Sequence, residues 1–314
     1  MEVRPLGKTG LEVSGLALGT VEIGMDYGFK GTQHYTRPTK SDCIRLVHRA
    51  LDLGINVIDT ARKYGDAESV LGEALKMTVD KPIICSKVFL SDSAVSADAD
   101  QLFQEISQSV DESLRALQLD SIDMLMIHNT KVEHMQRAET CEALERICRT
   151  GKIRFAGASC YGEETPLNAL RHQSISTLQV PYNFLDRRME RQVFATANKT
   201  GTGVFIRSAF LRGILTDEHD TVPKQLWPVR DRARKAFELA NDDVQSLSEL
   251  ALRFCLSIPD IASVVIGVKS IDELEANVTN ANRGSLKVDL LQRLTPLAMN
   301  DDPLVDPQNW AGLI

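Results

Sequence analysis

The chain has 314 residues, of which 43% are hydrophobic and 25% are charged, and its formal net charge is −7. This composition is typical of a globular protein with a large core, and the negative charge argues against a nucleic-acid partner because no basic face is available for phosphates. No apolar run is long enough to span a bilayer, and the first ten residues lack the apolar stretch of a signal peptide. The six cysteines are scattered without a CxxC pair, so we expect free thiols in a reducing, cytoplasmic setting.

Short apolar strands alternate with amphipathic helices along the whole chain. Residues 4–13 first predict a hairpin that turns on glycines. The first half then predicts strands at Gly15–Thr20, Asn56–Asp59, Ile83–Lys87 and Ile122–His128. It also predicts four helices: one that begins at the cap Ser41, one over Glu68–Lys76, one that buries apolar residues from Leu102 to Leu117, and one over Glu139–Arg149. The second half predicts strands at Phe155–Ser159, Leu178–Pro181, Gly203–Ser208 and Ser263–Ile266, with helices from Pro166 and over Asp186–Lys199, Val244–Ile258 and Ile271–Asn282.

Eight such units favour a (β/α)8 TIM barrel with an N-terminal β-hairpin, formed by residues 1–314 as one domain. An open doubly wound sheet is the alternative, because periodicity does not reveal strand order. In a barrel the chemistry lies where strands end and helices begin. The predicted strand ends carry polar residues or glycine at nearly every unit: Thr20, Asp59, Lys87, His128, Ser159, Gln179 to Asn183, Arg207 with Ser208, and Gly267.

Four residues of the first half are candidates for one catalytic site. Asp59, Lys87 and His128 end three consecutive strands, and Tyr64 follows Asp59 by five residues. Each has a purely structural alternative: an aspartate at a strand end often caps a helix, a tyrosine packs with its hydroxyl bonded, and a histidine is satisfied in the interior. A lysine beside an apolar strand is costly without a partner. Their convergence on one rim therefore favours a functional site.

The motifs that carry these residues resemble those of the aldo-keto reductase family. The family's Asp-Thr/Ser-Ala, Tyr-Gly, Glu and Leu-Gly pattern is found within residues 59–72, its lysine strand as ICSKV and its histidine strand as DMLMIH. The resemblance extends from LGKTGLEVS to the helix around Asn277. It implies an NAD(P)H-dependent oxidoreductase that reduces aldehydes or ketones, or oxidises the corresponding alcohols, by hydride transfer.

The catalytic residues implied by this resemblance are Asp59, Tyr64, Lys87 and His128. Tyr64 would donate the proton, because the Lys87 ammonium stabilises tyrosinate and lowers its pKa from about 10. Asp59 would keep the lysine charged and oriented, and a neutral His128 would polarise the carbonyl. The scattered histidines suggest no metal cluster, so we expect no metal.

The resemblance also implies a dinucleotide extended across the barrel mouth. Cys160 follows Ser159 where the family often has Asn, which puts one amide hydrogen bond in question. Arg207 stands where the family often has an aromatic or apolar residue, and it would either bind a phosphate or an anionic substrate or pair with a carboxylate of the chain. The implied cofactor-binding residues are Thr20, Asp59, Ser159, Gln179, Arg207, Ser208, Leu211, Gly213, Gly267, Lys269 and Asn277.

Two residues at the predicted adenine end point to different cofactors. Lys269, with Ser270, suits a ribose 2′-phosphate, whereas Glu273 stands where many NADP-dependent members carry Arg or Gln. A carboxylate there would repel a phosphate and accept from a free ribose hydroxyl, unless Glu273 is simply a solvated helix residue. On the family resemblance and Lys269 we expect NADP(H), with NAD(H) as the alternative.

Aromatic residues in a long loop and in the tail are candidates for the wall of a substrate pocket, although covering the barrel end or a subunit contact would use them equally well. We expect a small carbonyl or sugar substrate and no nucleic-acid or membrane partner, and the sequence indicates no oligomeric state. Two other functions compete: an NAD-dependent sugar (aldose) dehydrogenase with Tyr64 as base, and a nucleotide-binding sensor or scaffold barrel without turnover. The aromatic and apolar candidates are Met25, Tyr27, Phe29, His34, Tyr35, Trp310 and Leu313.

Overall fold

Eight parallel strands form a closed barrel in the computed structural model, which describes residues 1–30, 35–217, 221–240, 244–300, 302–310 and 312–313. An antiparallel hairpin of β1 (Val3–Pro5) and β2 (Glu12–Ser14) precedes the barrel. The barrel strands are β3 (Leu16–Gly19), β4 (Val57–Asp59), β5 (Ile83–Val88), β6 (Ile122–Ile127), β7 (Ile153–Ser159), β8 (Ile175–Pro181), β9 (Gly203–Arg207) and β10 (Ser263–Ile266). They pair in chain order, and β10 returns to β3. The predicted (β/α)8 barrel with its hairpin is confirmed, and the open-sheet alternative is wrong.

Helices cover the outside of the barrel, and several of them, such as α4, α6 and α10, bury an apolar face against the strands. No helix within the described ranges is both long and apolar enough to cross a membrane. The helices are α1 (Val21–Gly24), α2 (Lys40–Asp52), α3 (Ala67–Leu75), α4 (Ala99–Leu117), α5 (Val132–Met135), α6 (Ala138–Arg149), α7 (Glu164–Ala169), α8 (Val193–Thr200), α9 (Trp227–Ala240), α10 (Leu247–Leu256), α11 (Ile271–Asn282) and α12 (Val288–Leu294).

The hairpin closes the end of the barrel at which the strands begin. Its Leu6 and Val13 are fully buried and pack with side chains from inside the barrel, such as Met124 and Phe205. The lack of a side chain on Gly203 makes this possible, because a Cβ there would lie 2.4 Å from a methyl carbon of Leu6. The opposite end, where the strands finish, is therefore free for a deep cavity between the strand ends.

Several helix boundaries differ from the predictions. The cap of α2 is Thr39, whose hydroxyl accepts from the amide of Asp42, so the predicted cap Ser41 is wrong. The predicted helix Asp186–Lys199 begins only at Val193, because the Asp186 carboxylate binds the backbone and guanidinium of Arg188 and holds a separate turn there.

The predicted helix Val244–Ile258 is shorter, since Ser246 caps α10 at its start. Within α4, Leu114 is only partly buried. The sequence reasoning missed α9 and α12, which pack on each other beside the last units of the barrel.

Candidate active site

The strand order brings three of the four catalytic candidates to one place. Asp59 ends β4, Lys87 is the next-to-last residue of β5, and His128 directly follows β6. Because β4, β5 and β6 are neighbours in the barrel, their carboxyl ends meet. Tyr64 lies in the loop that follows β4, and α1 packs closely over it: a Cβ on Gly24 would lie 1.8 Å from the Tyr64 carbonyl oxygen.

A buried ion pair is the centre of this group. The Lys87 ammonium donates to both carboxylate oxygens of Asp59 at 2.7 and 2.6 Å and to the carbonyl oxygen of Thr60 at 3.1 Å. It also lies 3.4 Å from the Tyr64 hydroxyl. The Tyr64 and His128 rings meet edge to face, with centroids 5.4 Å apart. The structure thus brings all four predicted catalytic residues together.

The protonation states follow from burial and from this ion pair. Burial alone would lower the pKa of Lys87, but the charge and hydrogen bonds of Asp59 raise it above its usual value. Burial raises the pKa of Tyr64, and the Lys87 charge opposes this rise without cancelling it. Lys87 lowers the pKa of Tyr64 as the sequence predicted, but burial, which the sequence did not reveal, raises it by more. Burial, with the nearby positive charge of Lys87, lowers the pKa of His128 to about 3.

The ion pair is connected to the predicted cofactor residues. Gln179 donates through Nε2 to Asp59 Oδ1 at 2.8 Å, and Ser159 donates to Gln179 Oε1 at 3.5 Å. Thr20, at the end of β3, donates through its hydroxyl to the Asp59 carbonyl oxygen at 3.1 Å. These contacts link the ends of β3, β4, β7 and β8 across the mouth of the barrel.

A cavity of about 790 Å³ opens at this end of the barrel and runs from the catalytic group to the start of α11. The volume lies within the range of ligand-binding pockets. Lys87 lies behind the cavity wall, 1% exposed. The other predicted site residues all line it: Thr20, Asp59, Tyr64, His128, Ser159, Gln179, Arg207, Ser208, Leu211, Gly213, Gly267, Lys269 and Asn277.

The far end of the cavity is built by the start of α11. The Ser270 hydroxyl accepts from the amide of Glu273 at 3.1 Å and caps the helix. The Glu273 carboxylate in turn accepts from the backbone amide of Lys269 at 2.9 Å. The Lys269 ammonium donates to the carbonyl oxygen of Tyr27 at 2.9 Å.

The charged residues of the cavity wall that were not found from the sequence include Glu22 and Arg212. A Cβ on Gly267 would lie 2.1 Å from Glu22 Oε1, so the carboxylate packs directly on that glycine. Its Oε2 is buried and has no hydrogen-bond partner among the described residues. Burial raises the pKa of Glu22 to about 7, against the opposing effects of a backbone hydrogen bond and of the Lys269 and Arg212 charges.

Their positions in the chain explain why they were missed. Glu22 follows the strand-end residue Thr20 by two positions, whereas the candidates named from the sequence, apart from Tyr64, are residues at the strand ends themselves. Arg212 lies between Leu211 and Gly213, which were named as cofactor-binding residues, but was not itself named. Its backbone is left-handed (φ 54°, ψ 34°), and its guanidinium carbon is 4.2 Å from the Tyr27 ring centroid.

The aromatic candidates divide into two groups. Tyr27 and Phe29 line the cavity. Trp310 is 1% exposed and stacks on Phe29 with ring centroids 5.9 Å apart, so it supports the wall instead of lining it. Met25 is exposed, Tyr35 and Leu313 do not line the cavity, and His34 lies outside the described residues.

The chemistry of the described side chains centres on organic acids and bases. All six cysteines are free thiols. Within the described parts of the chain, no group of three or more His, Cys, Asp or Glu side chains is arranged to hold a metal ion. Cys160, which stands where the family often has Asn, is fully buried, and burial raises the pKa of its thiol to about 12.

Comparisons with known proteins agree with this architecture. The model of the Aldo/keto reductase family matches residues 16–297. The chain is 27% identical to L-galactose dehydrogenase of Arabidopsis thaliana, with 88% of this chain and 87% of that protein covered. It is also 27% identical to the NADH-specific methylglyoxal reductase of Escherichia coli strain K12, with 90% and 94% covered. An aldo-keto reductase from Bacillus halodurans in its holo form superposes with a TM-score of 0.80 at 28% identity, covering 96% of this chain and 97% of that one.

The closed barrel and the family match place the chain among oxidoreductases that act on carbonyl compounds, a family that uses nicotinamide cofactors. The chain belongs to the aldo/keto reductase family.

Proposed function

We propose that the chain reduces an aldehyde or ketone with a nicotinamide dinucleotide and that Tyr64 donates the proton. The observation that carries this proposal is the 3.4 Å contact between the Tyr64 hydroxyl and a lysine that two bonds hold to Asp59. A bound dinucleotide would supply the hydride. Burial keeps Tyr64 protonated at neutral pH, and Lys87 stabilises the phenolate that forms once the proton has left.

His128 would hold the carbonyl oxygen during the same step. Since burial keeps its pKa near 3, the imidazole is neutral at neutral pH and has one N–H to donate. Among the described residues its buried Nδ1 has no hydrogen-bond partner. An imidazole N–H directed at the carbonyl oxygen would lower the energy of the developing alkoxide.

The shape and lining of the cavity fit an extended dinucleotide. Ser159 and Gln179 would hold the nicotinamide carboxamide, and Asp59 and Thr20 would lie beside them. The amides of the segment Ser208–Gly213 would meet the pyrophosphate, and Asn277 the adenine. Gly19 and Gly267 also line the cavity, and the space beside Gly267 is filled by the Glu22 carboxylate.

We further propose that NAD(H) is the preferred cofactor, although the sequence alone favoured NADP(H). The Glu273 carboxylate occupies the Lys269 amide, which a 2′-phosphate would otherwise approach, and its negative charge repels a phosphate. The Lys269 ammonium is directed to the Tyr27 carbonyl. A relative, the E. coli methylglyoxal reductase, is named as NADH-specific.

Titration of protein fluorescence with NADH and NADPH tests this preference. We expect tighter NADH binding by the wild type, and Glu273→Arg should raise the affinity for NADPH about 10-fold or more. Asp272→Asn is the matched control, since it removes a neighbouring charge from the start of the same helix without touching the Lys269 amide. Tighter NADPH binding by the wild type would overturn the preference.

Turnover of 4-nitrobenzaldehyde tests the role of Tyr64. We expect Tyr64→Phe to lower kcat by about 10²–10⁴-fold while the dissociation constant for NADH changes little. Tyr182→Phe removes a hydroxyl that bonds Glu190 outside the cavity and serves as the control. Equal turnover by Tyr64→Phe and wild type would exclude Tyr64 as proton donor, whereas tight NADH binding by a wild type without turnover would favour a sensor or scaffold.

An NAD-dependent sugar dehydrogenase is the second candidate, supported by Glu273 and by the likeness to L-galactose dehydrogenase. It uses the same residues in the reverse direction, with Tyr64 as base. NADH formation from a panel of free aldoses at pH 9 tests it. Turnover there faster than any reduction at pH 7 would favour this direction.

A further inference from the structure

Arg207 lies in the cavity wall and makes two contacts with neighbouring residues. Arg207, the last residue of β9, donates from Nη2 to the Cys160 carbonyl oxygen at 3.0 Å. Its guanidinium carbon lies 3.7 Å from the centroid of the Tyr161 ring. Among the residues that the structure describes, no acidic side chain forms an ion pair with it. Arginine has five N–H donors, so most of them are available to a ligand.

These two contacts hold the guanidinium in a fixed orientation. Stacking on Tyr161 fixes the plane of the group, and the bond to Cys160 fixes its rotation within that plane. Arg207 is half-buried, and a half-buried cation gains more from an anion than an exposed one does. A planar guanidinium prepared in this way matches the two oxygens of a carboxylate or phosphate.

The position of Arg207 assigns it to the carbonyl end of the cavity. Its charge lowers the pKa of both Tyr64 and His128, so it lies close to the group that handles the carbonyl. The carboxyl of Glu22, which packs on Gly267, responds instead to Lys269 and Arg212.

A second cation lies on the outer side of the same group. The Lys63 ammonium is 4.8 Å from the centroid of the Phe89 ring, and that ring meets the His128 ring at 6.3 Å. The acid of this region, Asp59, is already neutralised by Lys87. The carbonyl end of the cavity is therefore electropositive, which favours an anionic substrate.

We propose that Arg207 determines substrate specificity by binding a carboxylate or phosphate group carried near the carbonyl that is reduced. The inference rests on the proposed reductase function and adds the class of substrate: a negatively charged aldehyde or ketone. Arg207 binds the anionic group, and Lys63 contributes longer-range attraction at the cavity entrance.

Matched substrate pairs test this specificity with the full chain and saturating NADH. The carboxylate pair is 4-carboxybenzaldehyde and 4-nitrobenzaldehyde, and the phosphate pair is glyceraldehyde 3-phosphate and glyceraldehyde. We expect the wild type to favour the anionic member of at least one pair in kcat/KM, and the pair that shows the preference identifies the anion. Arg207→Gln should reduce that preference about 10- to 100-fold, mainly through KM.

Two variants separate this role from a structural one. Arg207→Lys retains the charge and should restore part of the preference, which a loss of packing alone would not allow. Arg230→Gln is the control, because Arg230 also stacks on an aromatic ring, that of Trp227 at 4.4 Å, but lies outside the cavity.

The outcomes are distinct from those that test the reductase function. A wild type that turns over both members of each pair equally, or a preference that survives Arg207→Gln, overturns the proposal while the reductase function stands. A loss of NADH affinity in Arg207→Gln with an unchanged preference would assign Arg207 to the cofactor and also overturn it. Loss of all turnover in Tyr64→Phe bears only on the reductase function.

Discussion

Replacing Glu22 with glutamine should stabilise the protein, and the gain should depend on pH. Burial raises the pKa of this carboxyl from 4.5 to about 7, so the folded protein holds the proton more tightly than the unfolded chain does. Wild-type stability is therefore lost as the pH rises from about 4.5 to about 7, and the loss is constant above that range. Each pKa unit corresponds to about 1.4 kcal/mol, which makes the full loss roughly 3 kcal/mol. Because the cavity admits solvent, we expect about 1–3 kcal/mol.

Urea unfolding followed by tryptophan fluorescence at pH 5 and pH 8 measures this effect. Glu22→Gln carries no titrating group there, so its advantage over the wild type should be larger at pH 8 than at pH 5 by about 1–2 kcal/mol. Glu12→Gln, at an exposed position of β2, is the control and should show no such difference. An advantage of Glu22→Gln that is equal at both pH values would refute the reasoning, since it would mean that the carboxyl is not desolvated.

Three further predictions concern the catalytic group and one helix. The kcat/KM for carbonyl reduction should not fall between pH 8 and pH 5 through protonation of His128, whose pKa is near 3. A pH–rate profile in which the wild type shows a group titrating near 6.5 and His128→Gln does not would contradict this. Lys87→Met should destabilise the fold by about 3–5 kcal/mol, because it leaves the Asp59 charge buried without its partner. Adding Asp59→Asn to Lys87→Met should recover part of that loss in thermal unfolding. Equal melting temperatures for Lys87→Met and the double variant would refute the coupling between the two residues. Thr39→Ala should cost about 1 kcal/mol by removing the cap of α2, and an equal cost for Ser41→Ala in urea unfolding would reject Thr39 as the cap.

The strands could be predicted because they are buried on both faces and therefore form short apolar runs. The polar residue at the end of each run, such as Asp59 or Lys87, then marks the functional rim. Helix α9 could not be predicted in the same way, because its short apolar residues, such as Ala233 and Ala236, are buried among arginines and lysines that obscure the periodicity. The cap of α2 was predicted wrongly for a local reason. Thr39 and Ser41 are both residue types that cap helices well, and only the backbone conformation decides between them.

Some residues of the candidate site could be predicted from strand ends and motifs, and others are brought into it only by the folding of loops. Tyr64 could be named because a motif marks it, whereas Glu22 and Arg212 lie in loops whose conformation only the structure shows. The role of Lys87 was predicted in direction, but the sequence does not contain the depth of burial that decides the net pKa of Tyr64.

The charges along the cavity support the two specificity proposals jointly. Glu22 and Glu273 lie at the dinucleotide end together with Lys269 and Arg212, and the Glu273 carboxylate repels a further phosphate on the ribose, so this end favours the cofactor that carries fewer phosphates. At the carbonyl end Arg207 lies in the wall and Lys63 near it, and Asp59 is neutralised by Lys87. A substrate anion placed there would balance a positive charge that the chain itself leaves unbalanced. The same cavity thus disfavours an additional ribose phosphate at one end and favours a substrate anion at the other, which a neutral sugar would not supply.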